Sequence, residues 1–192
     1  MPYTSQQTAR NELHAQHAKF DKSVLSGMAK SVSGIDDNLS SQEFASIIKI
    51  YCKNLSADEC FAHARNVEAN IDRIRKSAGI ATDASRDIDI ERQYEKAYMF
   101  YLEAANKGNE VGQANCAILL ANLRFKKYGI WGHNINYILA AFYFEDLVKK
   151  SKNPKVLKVS YSCLSALYQR GGYGLDKDPQ KAQKYLQLAR KY

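Results

Sequence analysis

The stretch GGYGLDKDPQKAQKYLQLA, Gly171 to Ala189, joins a glycine-rich turn to an Asp-Pro helix start, then a Lys-Ala pair and an aromatic residue. A weaker version, EKAYMFYLEAANKG at residues 95–108, lies 85 residues earlier, and a third falls between them. Aligned on Ala97, Ala140 and Ala182, the copies are spaced 43 and 42 residues apart. In that register Phe100-Tyr101, Tyr143-Phe144 and Tyr185-Leu186 coincide, as do Ala104, Leu147 and Ala189. A fixed period of this kind with two helices per unit is the pattern of stacked helical hairpins. Small residues let paired helices approach, and the aromatic pair fills the space between neighbouring units.

The periodicity predicts helices at about 90–107, 111–127, 135–151, 154–170 and 179–191. Gly108, Gly129 and the Gly171-Gly172 pair stop three of them. Asn153-Pro154 and Asp178-Pro179 each place a capping side chain before a proline at the first helical position, where its missing N–H costs nothing. Three further helices are predicted within residues 1–79. The first runs over about Ser5–Val32 with the stripe Leu13, His17, Phe20, Val24, Met28 and Val32. The others start at the capping boxes Ser40/Glu43 and Ser56/Glu59, the second stopping at Gly79. Residues 80–89, IATDASRDID, are polar and aperiodic and read as a linker or exposed loop before the repeat region at 90–192. Prolines occur only at 2, 154 and 179, so the long interval between the first two suits an all-α chain.

These residues resemble the Sel-one-like repeats, a subclass of the tetratricopeptide-type helical hairpins. Gly172, Gly174, Leu175, Asp178, Lys181, Ala182 and Tyr185 match the turn and the start of the first helix. Lys96, Ala97, Phe100, Tyr101, Ala104, Ala105, Gly108 and Ala114 match the helix pair. The middle copy keeps Gly132, Ala140, Tyr143 and Phe144, but has Leu139 in place of the lysine and lacks the double alanine. The resemblance covers about residues 90–192 and implies an α-solenoid of two hairpins plus a closing helix. Since terminal repeats need capping, the N-terminal helices are expected to pack on the array and complete it.

Composition bounds the function classes. The chain has 192 residues, 45% hydrophobic and 25% charged, as in ordinary globular proteins. Its net charge of +8 is unevenly placed. Residues 149–192 hold 11 Lys and Arg against Asp176 and Asp178, a net of +9, and the rest of the chain is close to neutral. Such a basic end steers acidic protein surfaces or nucleic acid; solvated lysines on outer helix faces are the plain alternative. Cys52, Cys60, Cys116 and Cys163 form no CxxC pair and fall in apolar helical patterns, which suits buried free thiols in a reducing compartment. The N-terminus has no apolar run that would serve as a secretion signal, and no stretch is long enough to span a bilayer. A cytoplasmic protein is expected, with signal-independent export left open.

The catalytic inventory is thin. His14 and His17 share a helix face but make at most two ligands, where zinc takes three or four. Cys52, Cys60 and His63 lack a fourth partner, and a Cys-His nucleophile needs a cleft and an orienting third group. Asp83, Asp87, Asp89 and Glu91 have neither the ligand spacing nor the glycine of a calcium loop. No phosphate-binding GxxxxGK[ST] stretch occurs. No cofactor, metal or enzymatic activity is expected.

Binding is the remaining role. In tetratricopeptide-type arrays the first helix of each unit lines a concave peptide-binding surface. The candidates exposed there are Tyr94, Tyr98, Tyr137, Lys181 and Lys184; packing of the tyrosines between helices is the equal alternative. Trp131, in the turn YGIWGHN, either plugs the hairpin junction or anchors a partner. The leading expectation is a noncatalytic adaptor or regulator that binds another protein. An alternative assigns Lys149, Lys150, Lys152, Lys155 and Lys158 to nucleic acid or an acidic partner. A third is a bacterial secreted effector, secretion chaperone or immunity-type inhibitor.

Overall fold

The computed structural model describes residues 40–77, 84–121 and 136–192. The predicted helix over Ser5–Val32, together with Gly129 and Trp131, lies outside the described residues. Among the described residues the chain is all-helical. The helices are α1 (Ser41–Tyr51), α2 (Ala57–Ser77), α3 (Ala84–Asn106), α4 (Glu110–Leu120), α5 (Tyr137–Lys150), α6 (Pro154–Arg170) and α7 (Pro179–Ala189). A short 3₁₀ helix, Cys52–Asn54, follows α1.

Local sequence accounts for most of these ends. Ser40 Oγ accepts from Glu43 N at 3.3 Å while Ser40 N donates to Glu43 Oε2 at 2.8 Å, so both halves of the first capping box form. The second box forms likewise, with Ser56 N to Glu59 Oε2 at 2.7 Å and Glu59 N to Ser56 Oγ at 3.2 Å. Asn153 Oδ1 accepts from Lys155 N at 3.0 Å and Asp178 Oδ1 from Lys181 N at 2.8 Å, each ahead of its proline. At the end of α3, Gly108 takes φ +93° while Asn109 N donates to Ala104 O and Gly108 N to Ala105 O. This is a Schellman closure, and it needs a residue free of a Cβ penalty at the left-handed position.

The fold groups into two compact units that divide between Asn109 and Glu110. That division differs from the linker expected at 80–89. Helix α3 begins at Ala84, inside that segment, and packs along α2. Residues 84–89 are its opening turns, and Ile90 after them is buried.

In the first unit, α3 packs against α2 and α1. Ile47, Ile48, Cys60, Ala64, Ile71, Ala97 and Phe100 close its core. Two polar groups are built into it: the buried Tyr101 hydroxyl donates to the buried Glu68 carboxylate at 2.7 Å, and Arg65 donates to the same oxygen at 2.9 Å. A carboxylate survives such burial only with partners of this kind. Burial and the Glu68 charge together push the Tyr101 phenol well above its ordinary value.

In the second unit, α4, α5, α6 and α7 pack in succession, around Leu139, Phe144, Leu147, Leu164 and Leu167. Gln113 of α4 donates through Nε2 to Tyr143 O and to Asp146 Oδ2, both at 3.1 Å, fixing α4 against α5. The sequence register reappears as burial: Ala97, Ala140 and Ala182 are all buried, as are Ala104, Leu147 and Ala189. One group in α6 is poorly placed. Ser160 is fully buried, and its hydroxyl has no hydrogen-bond partner. Losing a desolvated hydroxyl without leaving another group unpaired is favourable. Ser160→Ala is therefore expected to stabilise this unit by about 1 kcal/mol, read as a raised urea midpoint; a lowered midpoint would show that the hydroxyl is satisfied.

Candidate functional site

The most structured polar cluster of the second unit lies where α5, α6 and α7 meet. Lys181 of α7 donates through Nζ to Glu145 Oε1 of α5 at 2.9 Å and to the Tyr168 hydroxyl of α6. The Tyr168 hydroxyl donates in turn to Glu145 Oε1 at 2.9 Å, and the Tyr185 hydroxyl donates to the same oxygen at 3.3 Å. The ammonium also sits over the Tyr168 ring, 3.9 Å from its centroid, a favourable cation–π position. Beyond it the rings of Tyr168, Tyr185, Tyr161 and Tyr192 follow one another at centroid spacings of 5.9, 6.1 and 5.9 Å. Burial, then the Glu145 charge, raises the phenols of Tyr168 and Tyr185 well above the ordinary tyrosine value. These phenols stay protonated and act as donors. The cluster is a clamp: every charge is answered within it, and it binds the closing helix to the two before it.

Lys181 was expected at a free binding surface, but its ammonium is spent on Glu145 and Tyr168. Tyr94, Tyr98 and Tyr137 were also expected there, and they are 3%, 4% and 3% exposed. The physical reason is legible in retrospect. Tyr94, Ala97, Tyr98 and Tyr101 stand three, four and seven residues apart, which is the buried stripe of α3 itself. Tyr137 opens α5, with its hydroxyl accepting from Arg170 at 3.1 Å and its ring 5.0 Å from that of Tyr173. Trp131 lies outside the described residues. Lys184 is exposed.

The basic set is at the surface. Lys149, Lys150, Lys152, Lys155 and Lys158 are all exposed, at the end of α5, the connection and the start of α6. Lys150 pairs with Asp146 at 2.7 Å, four residues back, an exposed contact of small worth. The connection is held from inside: Ser151 Oγ donates to Glu110 at 2.6 Å and accepts from Asn153 N at 3.1 Å. The one-sided charge visible in the sequence maps directly onto these helices. Neither α6 nor α7 contains an Asp or Glu, and the carboxylates of their connection are Asp176 and Asp178, the latter engaged as a cap. Sequence reading missed the exposed apolar side chains Val159, Leu186 and Tyr192. The register marks Leu186 as a core-type position, since it aligns with Tyr101 and Phe144, and does not show that it is uncovered.

The first unit offers a small cleft of ≈ 30 Å³, lined from α1 by Ala45, Ser46 and Lys49 and from α3 by Met99, Leu102, Glu103 and Asn106. That is room for about one water molecule. Burial raises the Glu103 carboxyl above its ordinary value of 4.5, against the opposing charges of Lys49 and Lys107 and a hydrogen bond from Asn106. A raised folded-state value means that the folded chain holds the proton more tightly than the unfolded chain. The contribution to stability is whole below about pH 4.5 and is lost as pH rises through the raised value. Glu103→Gln is therefore expected to remove a fall in stability above about pH 4.5 and to be the more stable form at about pH 7. Urea midpoints across that range test this, and an unchanged pH slope would refute it.

Other chemistry-bearing side chains of this unit are taken up by packing. His63 Nε2 meets the Tyr51 hydroxyl at 3.3 Å, and its ring stacks on Phe100 with centroids 5.3 Å apart. Cys52 and Cys60 are fully buried neighbours, and burial drives the Cys52 thiol far above its ordinary value, so that it stays protonated and unreactive. Among the described residues no three His, Cys, Asp or Glu side chains are placed to hold a metal ion. Among the same residues no helix is long and apolar enough to cross a membrane. Compared with known proteins, the chain matches no family model, no curated protein and no solved structure.

Proposed function

We propose that the chain is a noncatalytic protein-binding module, built on helical hairpins of the Sel-one-like kind, that acts by holding a partner protein. The observation that carries this reading is the recurrence of one burial register at a period of 42–43 residues, with Ala97, Ala140 and Ala182 each buried against a neighbouring helix. Repeats of this kind are surfaces for binding. The Glu145–Lys181–Tyr168 cluster supports the reading further, because its charges neutralise one another and serve to hold helices together.

A second reading has its own observation. The five exposed lysines from Lys149 to Lys158 suit phosphate groups, and binding of that kind weakens steeply with salt through counterion release. One experiment separates the two. The full chain, used as bait in a lysate of its native host and crosslinked, is expected to retain a protein that survives nuclease digestion. A complex that dissolves with nuclease favours the nucleic-acid reading, and a bait that retains no protein overturns the first.

A further inference from the structure

We propose that the open flank of α7, centred on Leu186, is the seat of an acidic amphipathic helix supplied by another protein. The inference rests on the protein-binding reading and gives it a face and a partner chemistry.

The first observation is an uncovered register position. Leu186 aligns with Tyr101 and Phe144. Tyr101 is completely buried, capped by Phe61 at 5.6 Å between centroids and by Glu68, both from α2. Phe144 is equally buried. Leu186 is 36% exposed. Helix geometry explains the contrast. Lys181 and Tyr185 stand on the flank of α7 that meets Glu145 and Tyr168. Pro179, Gln183, Leu186 and Arg190 stand four, seven and eleven residues apart on another flank, and all four are exposed. One side of α7 is occupied by α5 and α6, and the other carries an apolar residue where its two counterparts are covered.

The second observation is charge. The α6–α7 pair carries Lys155, Lys158, Lys184, Arg190 and Lys191 at the surface and no carboxylate on either helix. An exposed apolar position on a helix pair that bears cations and no carboxylate complements a helix that presents leucine-type residues three and four apart, flanked by Glu or Asp. The same charge argues against a second copy of this chain, which would set cations against cations. It also argues against the chain's own 5–32 stretch, which has four basic and two acidic residues. Nucleic acid would use the lysines and leave Leu186 unused, so it is separable by experiment.

The test uses the full chain and a synthetic helical peptide with leucines three and four residues apart and glutamates beside them. Comparators are a scrambled peptide of the same composition and a duplex DNA. By fluorescence anisotropy, the amphipathic peptide is expected to bind at least about tenfold more tightly than the scrambled one, and Leu186→Glu to weaken it by about tenfold or more, as for a central anchor. Arg190→Glu is expected to weaken it as well, and both variants should keep the wild-type circular dichroism and melting profile, since both positions are exposed. Absence of peptide binding, equal binding of the scrambled peptide, full binding by Leu186→Glu, or displacement of the peptide by DNA would each overturn the proposal. If Leu186→Glu still retains the host protein captured by the wild type, the protein-binding reading stands and this face is the wrong one.

Discussion

Gly171→Ala is expected to lower the stability of the 110–192 unit by about 3 kcal/mol, from strain of roughly 1–3 kcal/mol for a side chain in its backbone conformation and a steric clash added to it. Gly171 ends α6 with φ +64° and ψ −174°, a region essentially reserved for glycine. A Cβ there would lie 2.8 Å from Lys177 Cβ and 2.9 Å from Lys177 N, so part of the obstacle is backbone that cannot rotate away. The turn has little freedom to yield. Gly172 and Leu175 exchange backbone hydrogen bonds at 2.8 and 3.0 Å, and Asp178 N donates to Tyr168 O at 2.8 Å. Gly172→Ala is the control: its φ is +96°, but nothing stands within 4 Å of the added Cβ. Strain alone should cost it about 1–2 kcal/mol. At about 2–4 °C per kcal/mol for a chain of this size, Gly171→Ala should melt roughly 6–12 °C lower than wild type. Equal melting of the two variants would show that the close approach of Lys177 carries no weight.

Phe144→Ala should be at least as costly, about 3–5 kcal/mol, the range for emptying a buried aromatic site. Phe144 is fully buried in α5 and is the middle member of the register Tyr101, Phe144, Leu186. The informative comparison is Leu186→Ala, at the same register position but 36% exposed, where the loss should stay within about 1 kcal/mol. Denaturant midpoints of the two variants read the difference directly. Similar losses at both positions would mean that Leu186 is covered in solution, which would also remove the open flank on α7.

Much of the local structure was legible in the chain. Capping boxes at Ser40 and Ser56, the Asn-Pro and Asp-Pro starts of α6 and α7, and the glycine at the end of α3 act through atoms a few residues apart. Ala97, Ala140 and Ala182 each stand on the apolar stripe of their own helix, and each is buried. The candidate site was less legible. The sequence leaves Tyr94, Tyr98 and Tyr137 equally open to a concave binding surface and to packing between helices, and they are core. Lys181 is expected as an exposed binding residue, and it pairs with Glu145, 36 residues away in sequence. Spacing alone settles neither point, since it says which residues share a face and not which face is covered.

The sequence by itself determined where helices start and stop, which residues share a stripe, and that positive charge gathers at 149–192. Those properties depend on backbone geometry and on side chains within a turn or two. Only the tertiary structure decided that α3 packs along α2, that Glu145, Tyr168 and Lys181 close on one another, and that Leu186 is left open where Tyr101 and Phe144 are sealed. Burial and pairing across long separations are properties of the packed chain, and GGYGLDKDPQKAQKYLQLA names the turn and the helix without saying what stands against them.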